Sequence, residues 1–237
     1  MEAARHTRDR HTYGDYLAWP DDVRYELIDG EAYPMAPAPT LEHQEVAGEI
    51  FRQLANALAD PGQACRPFIA PVDVRLPRAA EADELIDTVV QPDVLVVCDP
   101  AKLDRRGVRG APDLVVEVLS PATASHDHRR KRQVYERAGV REFWLVHPTD
   151  RMVTIYRLAE SRFGKPEICE LAGETPVAIL SGDGLRRPLP SAHRSGKAAR
   201  GRRDRCCSPA PSCVGRLTET GSPPRSGRSP CWRSCRR

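Results

Sequence analysis

The chain has 237 residues, with 36 Lys or Arg, 33 Asp or Glu and a formal net charge of +3. That length holds one domain of ordinary size and an extension. No apolar run reaches the roughly 18 residues of a membrane helix, and Met1–Arg10 lacks the apolar core of a secretory signal, so a cytoplasmic protein without membrane contact is expected.

The near-neutral total conceals two unlike parts. Residues 186–237 carry 14 basic and 2 acidic side chains, a net +12, which leaves 22 basic and 31 acidic residues, a net −9, in the body before them. The basic pI therefore reports the tail and says nothing about nucleic-acid binding by the body.

In chain order, a period of two from Val23 to Ile28 predicts a strand. Asp29-Gly30 predicts a hairpin turn, because both positions tolerate positive φ, and Glu31–Met35 is the return strand. After a proline-rich break, Thr40 is placed to cap a helix over 41–59. Val46, Ala47, Ile50, Phe51, Leu54 and Leu58 form its inward stripe, which His43 joins and Glu49 does not. Asp60-Pro61-Gly62 stops it. Strands are expected at Phe68–Leu76, Val89–Val97 and Asp113–Leu119. The apolar runs in the last two suit strands buried on both faces. A second helix over Asp127–Ala138 ends at Gly139. Strands follow at Phe143–Val146 and Val153–Leu158, joined through Pro148-Thr149-Asp150, with weaker signals at Glu167–Leu171 and Val177–Leu180. Interleaved strands and helices predict an α/β (α+β) sheet domain over 12–185.

Past Leu185 no period of 2 or 3.6 survives. The segment 186–237 is Arg, Ser, Pro, Gly and Cys, which cannot bury enough apolar surface to offset its ordering entropy. Five of the eight cysteines lie there, odd for a cytoplasmic protein. The expectation is a disordered basic tail produced by out-of-frame reading of a GC-rich gene; the competing reading is a genuine arm that holds nucleic acid. The tail cysteines lack the matched spacing of a zinc site. Cys65, Cys98 and Cys169 are scattered through the body, and Cys98, in an apolar run, reads as a small buried hydrophobe.

Two carboxylates carry the chemistry. Asp93, after Pro92, opens one apolar strand and Glu117 lies inside the next. A carboxylate there is costly unless paired or bound to a metal. Two on neighbouring strands make an oxygen-rich site suited to Mg²⁺ or Mn²⁺, able to activate water and offset charge on a phosphoryl group. Spacing alone equally allows Asp93 to cap a strand end and Glu117 to pair with an arginine. Asp113, four residues before Glu117, is an alternative ligand but reads better as a turn residue. His126-Asp127-His128 reads as a loop entering a helix. No Ser-His pairing marks Ser120 as a nucleophile.

Taken together, Tyr25-Glu26-Leu27-Ile28-Asp29-Gly30-Glu31, His43, Pro92-Asp93-Val94, the run Ala111–Pro121, Lys131, Tyr135, Gly139-Val140 and Phe143-Trp144-Leu145-Val146 resemble the Uma-two family. That family is assigned to the PD-(D/E)XK, restriction-endonuclease-like nucleases. The resemblance runs from about Tyr13 to Leu180. It implies a central mixed sheet flanked by helices, with Asp93 and Glu117 as metal ligands. The superfamily pattern has a lysine two residues after the glutamate, where this chain has Leu119; the resemblance places it at Lys131 instead. Without the family, Lys131 reads as one solvated charge of Arg129-Arg130-Lys131-Arg132. Glu26 would add or orient a ligand. His43 would hydrogen-bond a carboxylate or phosphate, against the plainer reading of a satisfied core histidine. The implied activity is hydrolysis of phosphodiester bonds, in DNA before RNA, by a protein able to act as a homodimer. A non-catalytic or inactivated nucleic-acid-binding protein of the same fold is the alternative. A carboxylate-pair glycosidase fits poorly with 5% aromatic residues.

Overall fold

A computed structural model describes residues 10–20, 24–35, 38–60, 62, 64–120, 127–171, 174–180 and 186–188. A short helix, α1 (Tyr13–Tyr16), comes first, closed by a capping box between Thr12 and Asp15. Strands β1 (Tyr25–Ile28) and β2 (Glu31–Pro34) form the expected hairpin, with Ile28 opposite Glu31. Asp29 and Gly30 take φ of 52° and 79°, the two positive values a tight two-residue turn requires. Helix α2 (Leu41–Ala57) starts where Thr40 accepts a hydrogen bond from the His43 N–H, and buries His43, Val46, Ala47, Ile50, Leu54 and Ala57.

The sequence predicts one strand over Phe68–Leu76 and one over Val89–Val97. The chain makes four: β3 (Arg66–Ile69), β4 (Val74–Arg75), β5 (Val89–Val90) and β6 (Val94–Val97). Pro71 and Pro92 interrupt the two runs, since proline removes the N–H a ladder needs. At both breaks the chain crosses from one sheet to another. β3 pairs antiparallel with β6 in one sheet, and β4 with β5 in the other. The crossings lie together, the Ala70 N–H donating to the Asp93 carbonyl at 2.9 Å. Apolar patterning cannot reveal this, because it does not say which sheet each strand half joins.

A hairpin of β7 (Leu103–Asp104) and β8 (Gly107–Arg109) follows, absent from the sequence expectations. Then come β9 (Leu114–Val118), α3 (Asp127–Ala138), β10 (Glu142–His147), β11 (Met152–Ala159), β12 (Arg162–Phe163) and β13 (Glu167–Glu170). Gly139, at φ 89°, ends α3 as expected, its N–H reaching the Tyr135 and Glu136 carbonyls. The smaller mixed sheet runs β2-β1-β5-β4-β8-β7. The larger runs β12-β11-β10-β9-β6-β3, with β13 on β11. β9 is parallel to β10 through α3 and antiparallel to β6.

The central strands β6, β9 and β10 of the large sheet are buried on both faces, which explains their unbroken apolar runs. Val94, Val96, Leu114, Val116 and Val118 join the core with α2, while Leu95, Val97 and Val115 join a second core with Val134 and Tyr135 of α3. The β3–β6 register also brings Cys65 beside Cys98, and the two form a disulfide. Cys98 is therefore a partly buried bridge and not the small buried hydrophobe expected. The segment expected as a strand at Val177–Leu180 is instead a 3₁₀ turn over Ala178–Leu180, after β14 (Glu174–Pro176). β15 (Arg186–Pro188) pairs with β14, so regular pairing runs three residues past Leu185. The expectation for the rest of the tail lies outside the described residues.

Candidate active site

The proposed reaction centre sits at one end of the β6–β9 pair. Val94 is opposite Val116 in that ladder, so its register carried one step further sets Asp93 against Glu117. Pro92 ends the strand here, and Asp93 turns its carboxylate across the neighbouring strand. There Oδ2 accepts the Val118 N–H at 2.8 Å and lies 3.2 Å from His43 Nε2. The Thr40 cap sets where α2 begins, and so delivers His43 to Asp93 from the opposite side of the sheet end.

Glu117 points into the α3 side and is nearly closed off from solvent, at 6% exposure. Lys131 reaches it from α3, with Nζ 3.2 and 3.3 Å from the two carboxylate oxygens. The same ammonium lies 2.8 Å from Glu26 Oε1 on β1. Helix α3 thus delivers a lysine beside the glutamate from outside the strand, while the strand position two residues on is occupied by Leu119, packed on the apolar core. Lys131 is buried, so it is not a solvated charge of the basic run. The five residues singled out from sequence, Glu26, His43, Asp93, Glu117 and Lys131, are brought together in space.

Sequence reading missed two members. The Tyr135 hydroxyl donates to Glu117 Oε1 at 2.6 Å. Its signal was the i,i+4 spacing from Lys131, which puts both on one helix face. The Gln91 N–H donates to Glu26 Oε1 at 2.9 Å, a backbone contact no residue type announces. Asp113 does not join them. Its carboxylate accepts the Cys98 N–H at 2.7 Å and faces Arg141 at 3.4 Å, which makes it a tie between strand ends. The side chains of His126-Asp127-His128 lie outside the described residues.

Electrostatics set the site apart. Burial pushes Glu117 up to about 8; the nearby Asp93 and Glu26 charges add to this, while Lys131 and the Tyr135 hydrogen bond oppose it. Burial, then Glu117, raises Tyr135 well above the ordinary phenol range. His43 is raised chiefly by its hydrogen bond to Asp93. Its Nδ1 is buried and finds no partner among the described residues. Glu26 and Glu117 thus flank one ammonium in a buried pocket, and the Asp93 carboxylate, held by His43 and the Val118 N–H, lies at its edge, so hard oxygen donors gather here. Among the described residues no group of three or more His, Cys, Asp or Glu converges as a ready metal cage. The donor set still fits Mg²⁺, which is commonly held by one or two carboxylates with water and substrate phosphates completing the shell. Among the described residues no helix is long and apolar enough to cross a membrane.

Comparison with known proteins agrees with the architecture. Residues 13–186 match the model of the Uma2 family, described as "Putative restriction endonuclease". An uncharacterized protein of Synechocystis sp. is 29% identical over 149 residues, spanning 60% of this chain and 71% of that protein. A crystal structure of "a putative nuclease belonging to DUF820" from Anabaena variabilis superposes with a TM-score of 0.57 at 20% identity, covering 74% of this chain and 94% of the other. At that identity the likeness speaks for the fold. The sheet order, the site at the β6–β9 end and the match over 13–186 lead to one assignment: the chain belongs to the Uma2 family and has a restriction-endonuclease-like fold.

Proposed function

We propose that this protein is a divalent-metal-dependent endonuclease that hydrolyses phosphodiester bonds in DNA. The observation that carries the reading is the Lys131 ammonium held between Glu26 and Glu117, with Asp93 facing Glu117 across the ladder. Asp93 and Glu117 would hold Mg²⁺ or Mn²⁺. When bound, such an ion supplies Lewis acidity and an activated water.

The remaining work falls to fixed protein groups. The Val118 N–H and His43 hold the Asp93 carboxylate in place. Tyr135 does the same for Glu117. Glu26 holds Lys131 in place, so that its ammonium can stabilise negative charge gathering on the phosphoryl oxygens as water adds and the sugar oxygen departs. Groups locked before the substrate arrives cost no reorganisation during the reaction.

The second reading, a nucleic-acid-binding protein that does not cleave, draws on the same contacts. Glu117 is already satisfied by Lys131 and Tyr135, as in a purely structural pair. Incubation of the full chain with supercoiled, linear duplex and single-stranded DNA and with RNA decides between them, with Mg²⁺ or Mn²⁺ against EDTA. Metal-dependent scission that Asp93→Asn abolishes supports the enzyme. Binding without scission under every metal condition supports the second reading.

A further inference from the structure

An open groove of about 660 Å³ lies between α1, β3 and the β7–β8 hairpin. Its volume is that of a small-ligand site, roughly 300–1,000 Å³, with room for a nucleotide and none for a duplex. Gln91 belongs both to the groove and to the reaction centre. Its backbone N–H holds Glu26, while its side-chain amide donates to Asp73 at 2.7 Å and lies 3.2 Å from the Tyr16 hydroxyl. Asp93 is two residues further along the chain.

The walls combine cations with an aromatic face. Arg66 and Phe68 come from β3, with the guanidinium 5.3 Å from the ring centroid. Arg105 and Arg106 come from the hairpin turn, and Tyr13 and Leu17 close the far side. Arg66, Arg105 and Arg106 are exposed. The groove's carboxylates are engaged from within the protein. Asp104 accepts from Arg75 at 2.6 Å and from the Arg106 N–H at 2.7 Å, and Asp73 is held by Gln91 and Tyr16. Arg106 is 3.6 Å from Glu84, a loose surface pair. In a body that is acidic overall, three arginines beside an aromatic ring mark a local positive seat.

We propose that this groove binds an unpaired nucleic-acid strand, with phosphates on Arg66, Arg105 and Arg106 and a base against Phe68, and that it feeds the strand past Gln91 to the carboxylate site. Cations tracking the backbone with an aromatic platform is the chemistry that holds single strands without sequence preference. The proposal deepens the nuclease reading and rests on it for the substrate class.

The test is fluorescence anisotropy of labelled dT and U oligonucleotides and of a duplex on the full chain in EDTA, where no cleavage occurs, across a salt series. Arg66→Gln and the pair Arg105→Gln/Arg106→Gln are each expected to weaken single-strand binding about 5-fold per arginine near 0.1 M salt and to reduce the salt slope by about 0.7 per arginine. Phe68→Leu keeps the apolar packing, removes the π face and is expected to weaken binding about 5-fold or more. Arg162→Gln, exposed on β12 outside the groove, should bind as wild type. Photo-crosslinking followed by peptide mapping should label residues 66–73 and 103–108. Wild-type affinity and slope in all groove variants, crosslinks confined to 189–237, tighter binding of duplex than of single strand, or no binding at low salt would each overturn the proposal. Cleavage with and without Asp93→Asn is scored separately, so a failed groove and a failed nuclease remain distinguishable.

Discussion

Two buried clusters in this molecule pair one cation with two carboxylates, and they are built for different ends. Arg75, fully buried, pairs with Asp83 and Asp104 and lies with its guanidinium 5.5 Å from the Tyr13 ring. Arg109 joins Asp83 at 2.7 Å, so two cations meet two anions, and both aspartates reach solvent at their edges. Lys131, also buried, is a single ammonium shared by Glu26 and Glu117, while Asp93 nearby has His43 as its own partner. A planar fork bonded to two carboxylates suits permanent cross-linking of β4 to the hairpin and the turn at Asp83. A compact ammonium outnumbered by carboxylates suits a site that takes up a further cation or a developing charge. The cation-to-anion ratio, more than burial, separates the two.

Asp93→Asn and Glu117→Gln are expected to lower metal-dependent cleavage by about 10³-fold without lowering the melting temperature of the metal-free protein. A large loss of stability in both would make this cluster structural as well. Next, Arg75→Met should remove the buried partner of Asp83 and Asp104 and cost about 1–3 kcal/mol of stability, read from urea unfolding, since both aspartates reach solvent and Asp83 keeps Arg109. Its folded fraction should cleave at the wild-type rate. Lys131→Met should slow turnover by about 10²-fold while metal affinity, followed by calorimetry, stays nearly unchanged. Arg130→Met, one residue away and stacked on Tyr33, serves as its control; equal mild effects in the two would leave Lys131 a structural partner of Glu26 and Glu117.

The smallest and most discriminating effect is on pH dependence. Glu117 is raised from 4.5 to about 8 in the folded protein. Between those values the native state binds more protons than the unfolded one, so this residue's contribution falls as pH rises. Asp104 is held below its ordinary value of 3.8, first by its hydrogen bond to Arg75. Its contribution is present above that value and is lost as pH falls through its lowered pKa. Melting curves in EDTA should therefore show Glu117→Gln flattening the decline between pH 4.5 and 8, and Asp104→Asn flattening the loss in acid. Identical pH profiles for the two variants would erase the distinction drawn between the clusters.

Periodicity and turn chemistry are local, and features governed by them were legible from the chain alone. The Asp29-Gly30 turn, the Thr40 cap, the extent of α3 and its Gly139 end each depend on a few consecutive residues, and each is found where local rules put it. Those rules failed at the strands around Pro71 and Pro92. The choice between one bent strand and two strands in different sheets depends on partners far along the chain. The Cys65–Cys98 bridge is hidden for the same reason, since it follows from the β3–β6 register.

The reaction centre divides in the same way. Asp93 and Glu117 stand out in sequence because ionised carboxylates are expensive in apolar strands, and Glu26, His43 and Lys131 were reached through family resemblance. Tyr135 was marked only by its helix-face spacing from Lys131, and the Gln91 backbone N–H carries no mark in the sequence, because a peptide group next to a proline is ordinary. What the amino-acid order determined by itself was where the helices and the first hairpin turn fall and which charges could not be idle in a core. Only the tertiary structure decided which charges meet. The packing of α3 against β9 carries Lys131 across 14 residues of chain to Glu117, a convergence set by sheet order and helix docking and by no pattern of neighbouring residues.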